Sequence, residues 1–288
     1  MKKLKFVLLG WLLCATQLES FYCQQGSITY QTLTMGYNSS LYRDFATSPL
    51  FYRGSGINLQ TSWLKYFNHR VRIFEMALFY NSMSADIPAS NYLQPSAFAT
   101  FIQLHFRYLR LWDFNRLSNE KRNIKLGGSV VNTTNIRPNS GLFNNALGVE
   151  NITNIMATLQ ITRDISRMTE RKINLGIFKP VLKPKKMECR FQLNAGLLNV
   201  NTRPGYAFLY ADELNGLETE AWILSDYRLS VNGWRFNTEL EWIKYLPNGN
   251  ARSWAYVWDA AHVPGKFEAF QMATHQIRYT LYFNTTKN

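Results

Sequence analysis

Cysteine is scarce in this chain, with 3 residues among 288, namely Cys14, Cys23 and Cys189. So few cysteines argue against a disulfide framework, and we interpret Cys189 as a small apolar residue. The chain also lacks a Gly-x-Ser-x-Gly elbow, a His-Glu-x-x-His helix and a phosphate-binding glycine loop. We therefore predict a protein that is not an enzyme and that carries no cofactor, no metal ion and no catalytic residues.

Long apolar runs are absent after the N-terminal segment, so a bilayer could be crossed only by strands and not by helices of about 20 residues. The N-terminal segment has Lys2, Lys3 and Lys5, then an apolar run over 6–14 and a more polar stretch over 15–20. This order is typical of a cleavable signal peptide. We predict a signal peptide at 1–20 and a single domain at 21–288, since no repeat, linker or low-complexity tract divides the rest.

Positive charge exceeds negative charge, with 32 Lys and Arg against 19 Asp and Glu and a formal net charge of +13. A basic balance can indicate nucleic acid as a partner, but this chain has no basic run longer than that at Lys185-Lys186 for tracking phosphates, so we predict no nucleic-acid partner. Outer-membrane lipid with anionic headgroups, acidic solutes and a protein of the cell envelope are the predicted partners.

The strongest pattern present is a two-residue alternation of apolar and polar side chains. In 187–197, the apolar residues Met187, Phe191 and Leu193 occupy odd-numbered positions, whereas the charged residues Glu188 and Arg190 occupy even-numbered positions. This period predicts β-strands with one apolar and one polar face. Twelve such segments are predicted, at 27–37, 56–66, 70–81, 100–112, 123–132, 153–165, 172–178, 187–198, 205–210, 220–231, 234–246 and 269–283.

The connections between these segments are predicted to alternate between tight turns and longer loops, as in a barrel of the outer membrane. Asn232-Gly233 is the strongest hairpin signal, because a type I′ turn needs positive φ at both central residues. With this alternation both chain termini fall at the same end of the barrel. The longer loops are predicted at 38–55, 82–99, 133–152, 180–186, 211–219 and 247–268.

The fold class predicted is all-β, a single antiparallel up-and-down transmembrane β-barrel of about 12 strands. A soluble β-sandwich or lipocalin-like barrel is the alternative, because it alternates in the same way with its apolar face inward. Aromatic residues amount to 15%, as expected for the aromatic girdles of a membrane barrel. The polar face is then the lumen, and its predicted lining comprises His105, Arg107, Lys172, Glu188, Arg190, Asp226, Arg228, Arg235, Glu239, Glu241 and Arg278.

The last predicted strand ends in Tyr279-Thr280-Leu281-Tyr282-Phe283. Together with the N-terminal signal, the series of hairpins and the aromatic-rich strands, this ending resembles the uncharacterised outer-membrane β-barrel proteins of Bacteroidota over the full length of the chain. The resemblance implies a location in the outer membrane of a cell envelope. It implies no reaction and no residue roles.

Two functions of different classes are consistent with this sequence. The first is a narrow porin-like passive pore for small solutes, for which a basic lining would favour anions. The second is a non-conducting structural or accessory barrel that acts through surface loops, where Trp254, Tyr256 and Trp258 are the predicted loop aromatics. Glu239 and Glu241 lie two residues apart, so they could form a catalytic pair, but an ion-pair ladder with Arg228 and Arg235 is the interpretation we favour.

Overall fold

The computed structural model describes residues 27–45, 48–85, 97–139, 147–172, 181–204, 227–264 and 269–286. The predicted signal peptide lies outside these residues. In the described part, no helix is long and apolar enough to span a bilayer. A short 3-10 turn occupies Asn115–Leu117, and the strands are β1 (Ile28–Asp44), β2 (Ser48–Tyr66), β3 (Arg70–Ser84), β4 (Phe98–Asp113), β5 (Arg122–Pro138), β6 (Leu147–Asp164), β7 (Arg171–Lys172), β8 (Val181–Leu182), β9 (Met187–Pro204), β10 (Tyr227–Ser230), β11 (Trp234–Tyr245), β12 (Ala251–Val263) and β13 (Phe270–Asn284).

Ten strands close into an antiparallel barrel, in the order β1-β2-β3-β4-β5-β6-β9-β11-β12-β13. The pairing of β13 with β1 closes the ring, and the pairing of β6 with β9 passes over β7 and β8. Each of these ten strands pairs with the barrel strands that precede and follow it in the chain, so the topology is up-and-down. The predicted closed all-β barrel is confirmed, with ten strands rather than about 12.

The stagger of the barrel can be followed through directly opposed residues. Starting at Lys65 on β2, the row passes through Arg72, Arg110, Gly128 and on around the wall. It returns to β2 at Arg53, a displacement of 12 positions, from 65 to 53. Such a stagger makes the strands tilt relative to the barrel axis. β1 begins and β13 ends at the same end of the barrel, which we call the termini end; the opposite end is the far end.

The two faces of the wall have opposite polarity. Along β1 the alternate positions Leu33, Met35 and Tyr37 are exposed outward, whereas Thr34 and Asn38 are buried inside. Phe191 on β9 is exposed outward and its neighbour Arg190 is buried. Because apolar side chains face out and polar ones face in, the wall has the polarity of a membrane barrel and not of a soluble one.

Formally charged side chains on the outward face are confined to the ends of the described strands. Arg43 and Arg53 lie at the far end. Between the charged residues of the far end and those of the termini end, the outward belt carries apolar and uncharged polar residues, which is the pattern that a hydrocarbon core requires. The charged outward residues of the termini end are Lys65, Arg70, Arg72, Arg110, Arg122, Arg163, Lys244 and Arg252.

The predicted hairpin turn at Asn232-Gly233 is wrong. Ser230 of β10 faces Asn201, and Phe236 of β11 faces Ala195, six positions further along each strand, so β10 and β11 continue one line in one register against β9. The Asn201 side chain donates to Asn232 O at 2.7 Å. Gly233 has φ of 96°. The positive φ that Asn-Gly tolerates therefore serves an irregularity within a strand line instead of a turn.

The predicted loop at 247–268 is also wrong, because most of it is β12. Trp254 and Tyr256 are 58% and 44% exposed and face outward from the wall, so these aromatics and Trp258 belong to a strand and not to a loop. The strand escaped prediction because its inward face carries Ala255 and Val257, which removes the contrast between the two faces.

Two further predicted loops need correction, and two predicted strands lie wholly or mostly outside the described residues. The predicted loops at 38–55 and 133–152 are mostly strand, because β1 runs on to Asp44, β2 starts at Ser48, β5 ends at Pro138 and β6 starts at Leu147. The predicted strand at 172–178 enters the described residues only at Lys172, where β7 pairs with β8 outside the barrel. The predicted strand at 205–210 lies outside the described residues.

Candidate functional site in the barrel interior

An apolar cluster fills the interior near the far end. Tyr42 stacks on Tyr52 with ring centroids 5.0 Å apart, and Phe101 packs against Tyr42 at 5.1 Å. Phe101 and Phe270 are fully buried. The side chains come from strands on several sides of the barrel, so they meet across its axis. The members are Tyr42, Tyr52, Met83, Ala99, Phe101, Ile152, Ala261, Val263, Phe270 and Met272.

A second apolar cluster fills the interior near the termini end. Leu109 and Leu111 of β4 are fully buried, and Ile243 of β11 packs with them from another part of the wall. Tyr30 lies edge-on to Tyr66 at 6.1 Å. The members are Leu64, Val71, Ile73, Leu109, Leu111, Ile243, Ala251 and Tyr282, with Tyr30, Tyr66 and Tyr245 packed against them.

Four charged residues form a network beside the far-end cluster. Arg137 contacts Asp44 at 2.7 Å and Glu150 at 2.6 Å. Arg203 contacts the other oxygen of Asp44 at 2.7 Å, and Asn135 donates to Glu150 at 3.0 Å. All these side chains are buried, so two arginines and two carboxylates compensate one another inside the barrel.

A bidentate ion pair joins β11 to β12 in the middle of the interior. Arg235 donates from Nε to Asp259 Oδ1 at 3.1 Å and from Nη2 to Oδ2 at 2.7 Å. Its third nitrogen donates to Thr133 Oγ1 at 2.7 Å and Asn154 Oδ1 at 3.2 Å. The guanidinium therefore links strands from opposite parts of the barrel, and both charged partners are buried.

A third charged group lies towards the termini end. Arg107 donates to Glu75 at 2.6 Å and lies 3.9 Å from Glu239. Arg190 contacts Glu241 at 3.2 Å and donates to the hydroxyl of Tyr66 at 3.1 Å. Tyr282 donates to Glu241 as well. These contacts connect the charged residues of the interior to the apolar cluster at the termini end, because Tyr66 and Tyr282 belong to both.

Small cavities lie between these groups, and two of them are described by their lining residues. One, of about 40 Å³, is lined by Glu75, Arg107 and Arg190 among others. The other, of about 10 Å³, lies between His105, Arg235 and Asp259. A cavity needs a volume of roughly 10–15 Å³ to hold one water molecule. The cavities therefore have room for a few waters at most.

The predicted lumen residues fall into three groups in the structure. Arg107, Arg190, Arg235, Glu241 and Arg278 are buried in the interior; His105 and Glu239 also face inward and are partly exposed. Glu188 lies at the termini end, where it accepts from Tyr245 at 2.9 Å. Lys172 lies outside the barrel sheet. Arg228 is on β10 with no described side chain, and Asp226 is outside the described residues.

The carboxylates of Glu239 and Glu241 have separate partners. Glu241 is held by Arg190 of the neighbouring strand, and Glu239 faces Arg107 from β4. The arrangement is therefore an ion-pair ladder across β4, β9 and β11. Its partners differ from those predicted, since Arg235 pairs with Asp259 instead.

The far-end network was not predicted because three of its four members, Asp44, Arg137 and Glu150, fall within the predicted loops at 38–55 and 133–152. The detectable signal was the continued period of two, for example Tyr42 and Asp44 on one side of β1 and Asn135 and Arg137 on one side of β5. Apart from Lys125, Asp113 and Glu188 at the termini end, the described interior has six arginines and six carboxylates: Arg107, Arg137, Arg190, Arg203, Arg235 and Arg278 against Asp44, Glu75, Glu150, Glu239, Glu241 and Asp259.

Within the described strands and turns, no group of three His, Cys, Asp or Glu side chains could hold a metal ion. His105 faces inward with its Nε2 atom buried and without a hydrogen-bond partner in the described part. Its ring packs beside Phe79 at 6.3 Å. The chemistry available in the interior is therefore that of ion pairs and amide hydrogen bonds.

The chain matches no protein-family model and no curated protein. Among solved structures it is similar to the translocator domain of the autotransporter NalP from Neisseria meningitidis, with 11% identity, 96% and 95% of the two chains covered and a TM-score of 0.35. It is also similar to Ail of Yersinia pestis (7%, 88% and 98%, 0.30) and to the P. putida toluene transporter TodX (8%, 92% and 91%, 0.32). Because these TM-scores are below 0.5, the fold assignment rests on the strand pairing of the chain itself.

Proposed function

We propose that the chain is an outer-membrane β-barrel with a closed, non-conducting interior, and that it has a structural or accessory role in the cell envelope. The outward apolar belt supports a place in a bilayer, because a soluble barrel would expose it to water. The closed interior supports a role exerted through the ends of the barrel and its outer surface.

The observation that carries this proposal is the pair of apolar clusters. A permeating ion would have to pass Phe101 and Phe270 near the far end and Leu109 and Leu111 near the termini end, all of them fully buried. Apolar constrictions exclude water and ions. Barrels of eight strands are filled by side chains, and those of 16 leave a channel; a ten-stranded barrel lies close to the filled limit.

The alternative, a pore for small anionic solutes, requires a continuous aqueous path with an excess of positive charge. The described interior has balanced charges, and its arginines Arg137, Arg190 and Arg235 are bound to carboxylates. Paired guanidinium groups attract anions only weakly, because the carboxylates beside them cancel their field. These features favour the closed barrel over the pore.

Planar-bilayer recording tests the proposal. Insertion is established first by flotation with lipid vesicles and by the change in gel mobility on boiling. The wild-type protein is expected to show no conductance steps over many insertions. The double variant Phe101→Ala and Leu111→Ala reduces both apolar clusters and is expected to give small steps; it shows that the assay detects an opened barrel. Steady steps from the wild type would overturn the proposal in favour of the pore.

Compartment is tested separately. After separation of inner and outer membranes in a Gram-negative host, we expect the protein in the outer-membrane fraction in a form whose gel mobility changes on boiling. Recovery in a soluble fraction would contradict the membrane location whatever the conductance result.

A further inference from the structure

Three cations lie side by side on the outer wall at the termini end. Lys65 of β2 is directly opposite Arg72 of β3, and Arg72 is directly opposite Arg110 of β4. All three are at outward positions of their strands. Like charges directly opposed across strands are destabilising. A negative charge placed beside Arg72 and Arg110 would relieve this repulsion.

The cations converge on aromatic rings at the end of the belt. Around the Phe67 ring, Lys65 Nζ lies at 5.2 Å, Arg70 Cζ at 4.3 Å and Arg72 Cζ at 5.3 Å. Arg110 Cζ lies 4.9 Å from the Trp112 ring. Because Phe67 and Trp112 are nearer the termini end than the cation row, these contacts hold the positive charges at the depth where lipid headgroups lie.

No protein anion among the described residues compensates Arg72 or Arg110. The nearest strand-end carboxylate on β4, that of Asp113, faces inward and is bound to Lys125. The Nε atoms of Arg72 and Arg110 are buried with no hydrogen-bond partner in the described part of the chain. Both side chains are only half-buried, so the remaining guanidinium nitrogens, which have no acceptor among the described residues, can donate to a ligand.

The same row continues from Arg110 into small residues. Gly128, Ala157 and Ala195 follow one another at directly opposed outward positions of β5, β6 and β9. A Cβ added to Gly128 would meet only Met156 O, at 3.2 Å. Because the row climbs towards the far end as it circles the barrel, these residues lie deeper in the apolar belt than the cations. They form a shallow strip that begins at Arg110.

We propose that Lys65, Arg72 and Arg110 bind the phosphate of an anionic phospholipid whose acyl chain lies along the strip of Gly128, Ala157 and Ala195. The phosphate places a negative charge beside Arg72 and Arg110 and accepts hydrogen bonds from their guanidinium groups. The inference rests on the proposed function only in requiring that the barrel spans a membrane.

The surroundings favour a lipid over a soluble phosphate. Two positions further towards the far end on the same face lie Trp63, Phe74 and Tyr108, and the Trp63 and Phe74 rings are 5.8 Å apart. An anion at the cation row is therefore bordered by apolar and aromatic groups on its membrane side. A phosphate that carries acyl chains matches both parts of this surface.

Native mass spectrometry of the full chain in nanodiscs tests the proposal. The discs contain phosphatidylglycerol and phosphatidylcholine in equal amounts, and the readout is the ratio of the two lipids that stay bound after the disc is removed. The wild type is expected to retain phosphatidylglycerol preferentially. The double variant Arg72→Gln and Arg110→Gln should lower this ratio on the order of tenfold, given the contribution of two cations near a lipid surface.

The matched control is the double variant Arg43→Gln and Arg53→Gln, which removes two outward arginines at the far end; Arg43 also stacks on aromatic rings, at 3.9 Å and 4.6 Å. An unchanged ratio in the Arg72 and Arg110 variant, or an equal fall in the control, would overturn the proposed site. Displacement of the lipid by excess inorganic phosphate would assign the cations to a soluble anion instead. Failure of all variants to enter discs of phosphatidylcholine alone would contradict the membrane barrel itself, a result that is distinct from loss of lipid preference.

Discussion

Replacing Arg235 by Met tests whether the interior is dry. Arg235 is 3% exposed and Asp259 6%, and the guanidinium makes four hydrogen bonds, two of them to Asp259. The substitution keeps most of the side-chain volume and leaves the Asp259 carboxylate buried without its cation. Breaking a buried pair on one side typically costs about 3–5 kcal/mol of unfolding free energy. The adjoining cavity of about 10 Å³ holds too little water to replace the guanidinium.

The measurement is reversible urea unfolding in lipid vesicles, followed by tryptophan fluorescence. The double variant Arg235→Met and Asp259→Leu removes both charges and is expected to be more stable than Arg235→Met alone by about 2 kcal/mol or more, since no unpaired charge remains. Arg252→Gln, an exposed position on β12, serves as control and should change stability by less than about 0.5 kcal/mol. A cost below about 1 kcal/mol for Arg235→Met, without recovery in the double variant, would indicate a hydrated lumen and would refute the closed interior.

Two further substitutions test the wall itself. Gly233→Ala should destabilise the barrel by about 2 kcal/mol in the same unfolding assay, because the residue has φ of 96° and a Cβ would lie 2.3 Å from His262 O; Gly128→Ala is the control, and equal costs for the two would contradict the strand irregularity. Leu59→Arg, in the middle of the outward belt with Leu59 51% exposed, should cost roughly 2–4 kcal/mol; a neutral result in vesicles would place that face in water.

The alternation of side chains was sufficient to predict a barrel wall with a polar inner face, but it did not predict where the strands begin and end. Strand β9 begins at Met187 as predicted, because its period of two is strong there. It continues to Pro204 beyond Leu197 and Leu198, which are both exposed, and after this irregularity the inward positions change from even to odd numbers. In β12 the contrast between the two faces is lost, since Ala255 and Val257 face inward. Sequence periodicity reports the difference between two faces, so it fails wherever both faces carry similar residues.

The turn preference of Asn232-Gly233 led to the wrong prediction of a hairpin. Asn-Gly permits positive φ, but whether the chain then reverses depends on its partner strand. At Asn232-Gly233 the side chains of Asn199 and Asn201 on β9 donate to the two backbone carbonyls, at 2.5 Å and 2.7 Å. These contacts join residues more than 30 positions apart, and no local signal in the sequence encodes them.

The partners in the interior ion pairs could not be predicted from the sequence, because they depend on how the barrel closes. Arg235 and Asp259 lie on neighbouring strands, yet the pairing could not be inferred while Asp259 was assigned to a loop. Asp44 and Arg137 belong to β1 and β5, which are not adjacent in the sheet, so their 2.7 Å contact exists only because the wall curves round on itself. Sequence can place a charge on the inner face, whereas its partner depends on the stagger and width of the barrel.

The narrow interior of this barrel accounts both for its ion pairs and for its packed apolar clusters. A ten-stranded wall leaves an interior narrow enough for arginine and tyrosine side chains from opposite strands to meet, so Arg137 reaches both Asp44 and Glu150 and its charge is compensated without bulk water. The apolar clusters at either end then keep water from competing with these contacts. An open pore would require both clusters to separate and the ion pairs between them to be hydrated together. The surfaces that remain available to partners are therefore the two ends and the outer wall, where the uncompensated charges of Arg72 and Arg110 lie.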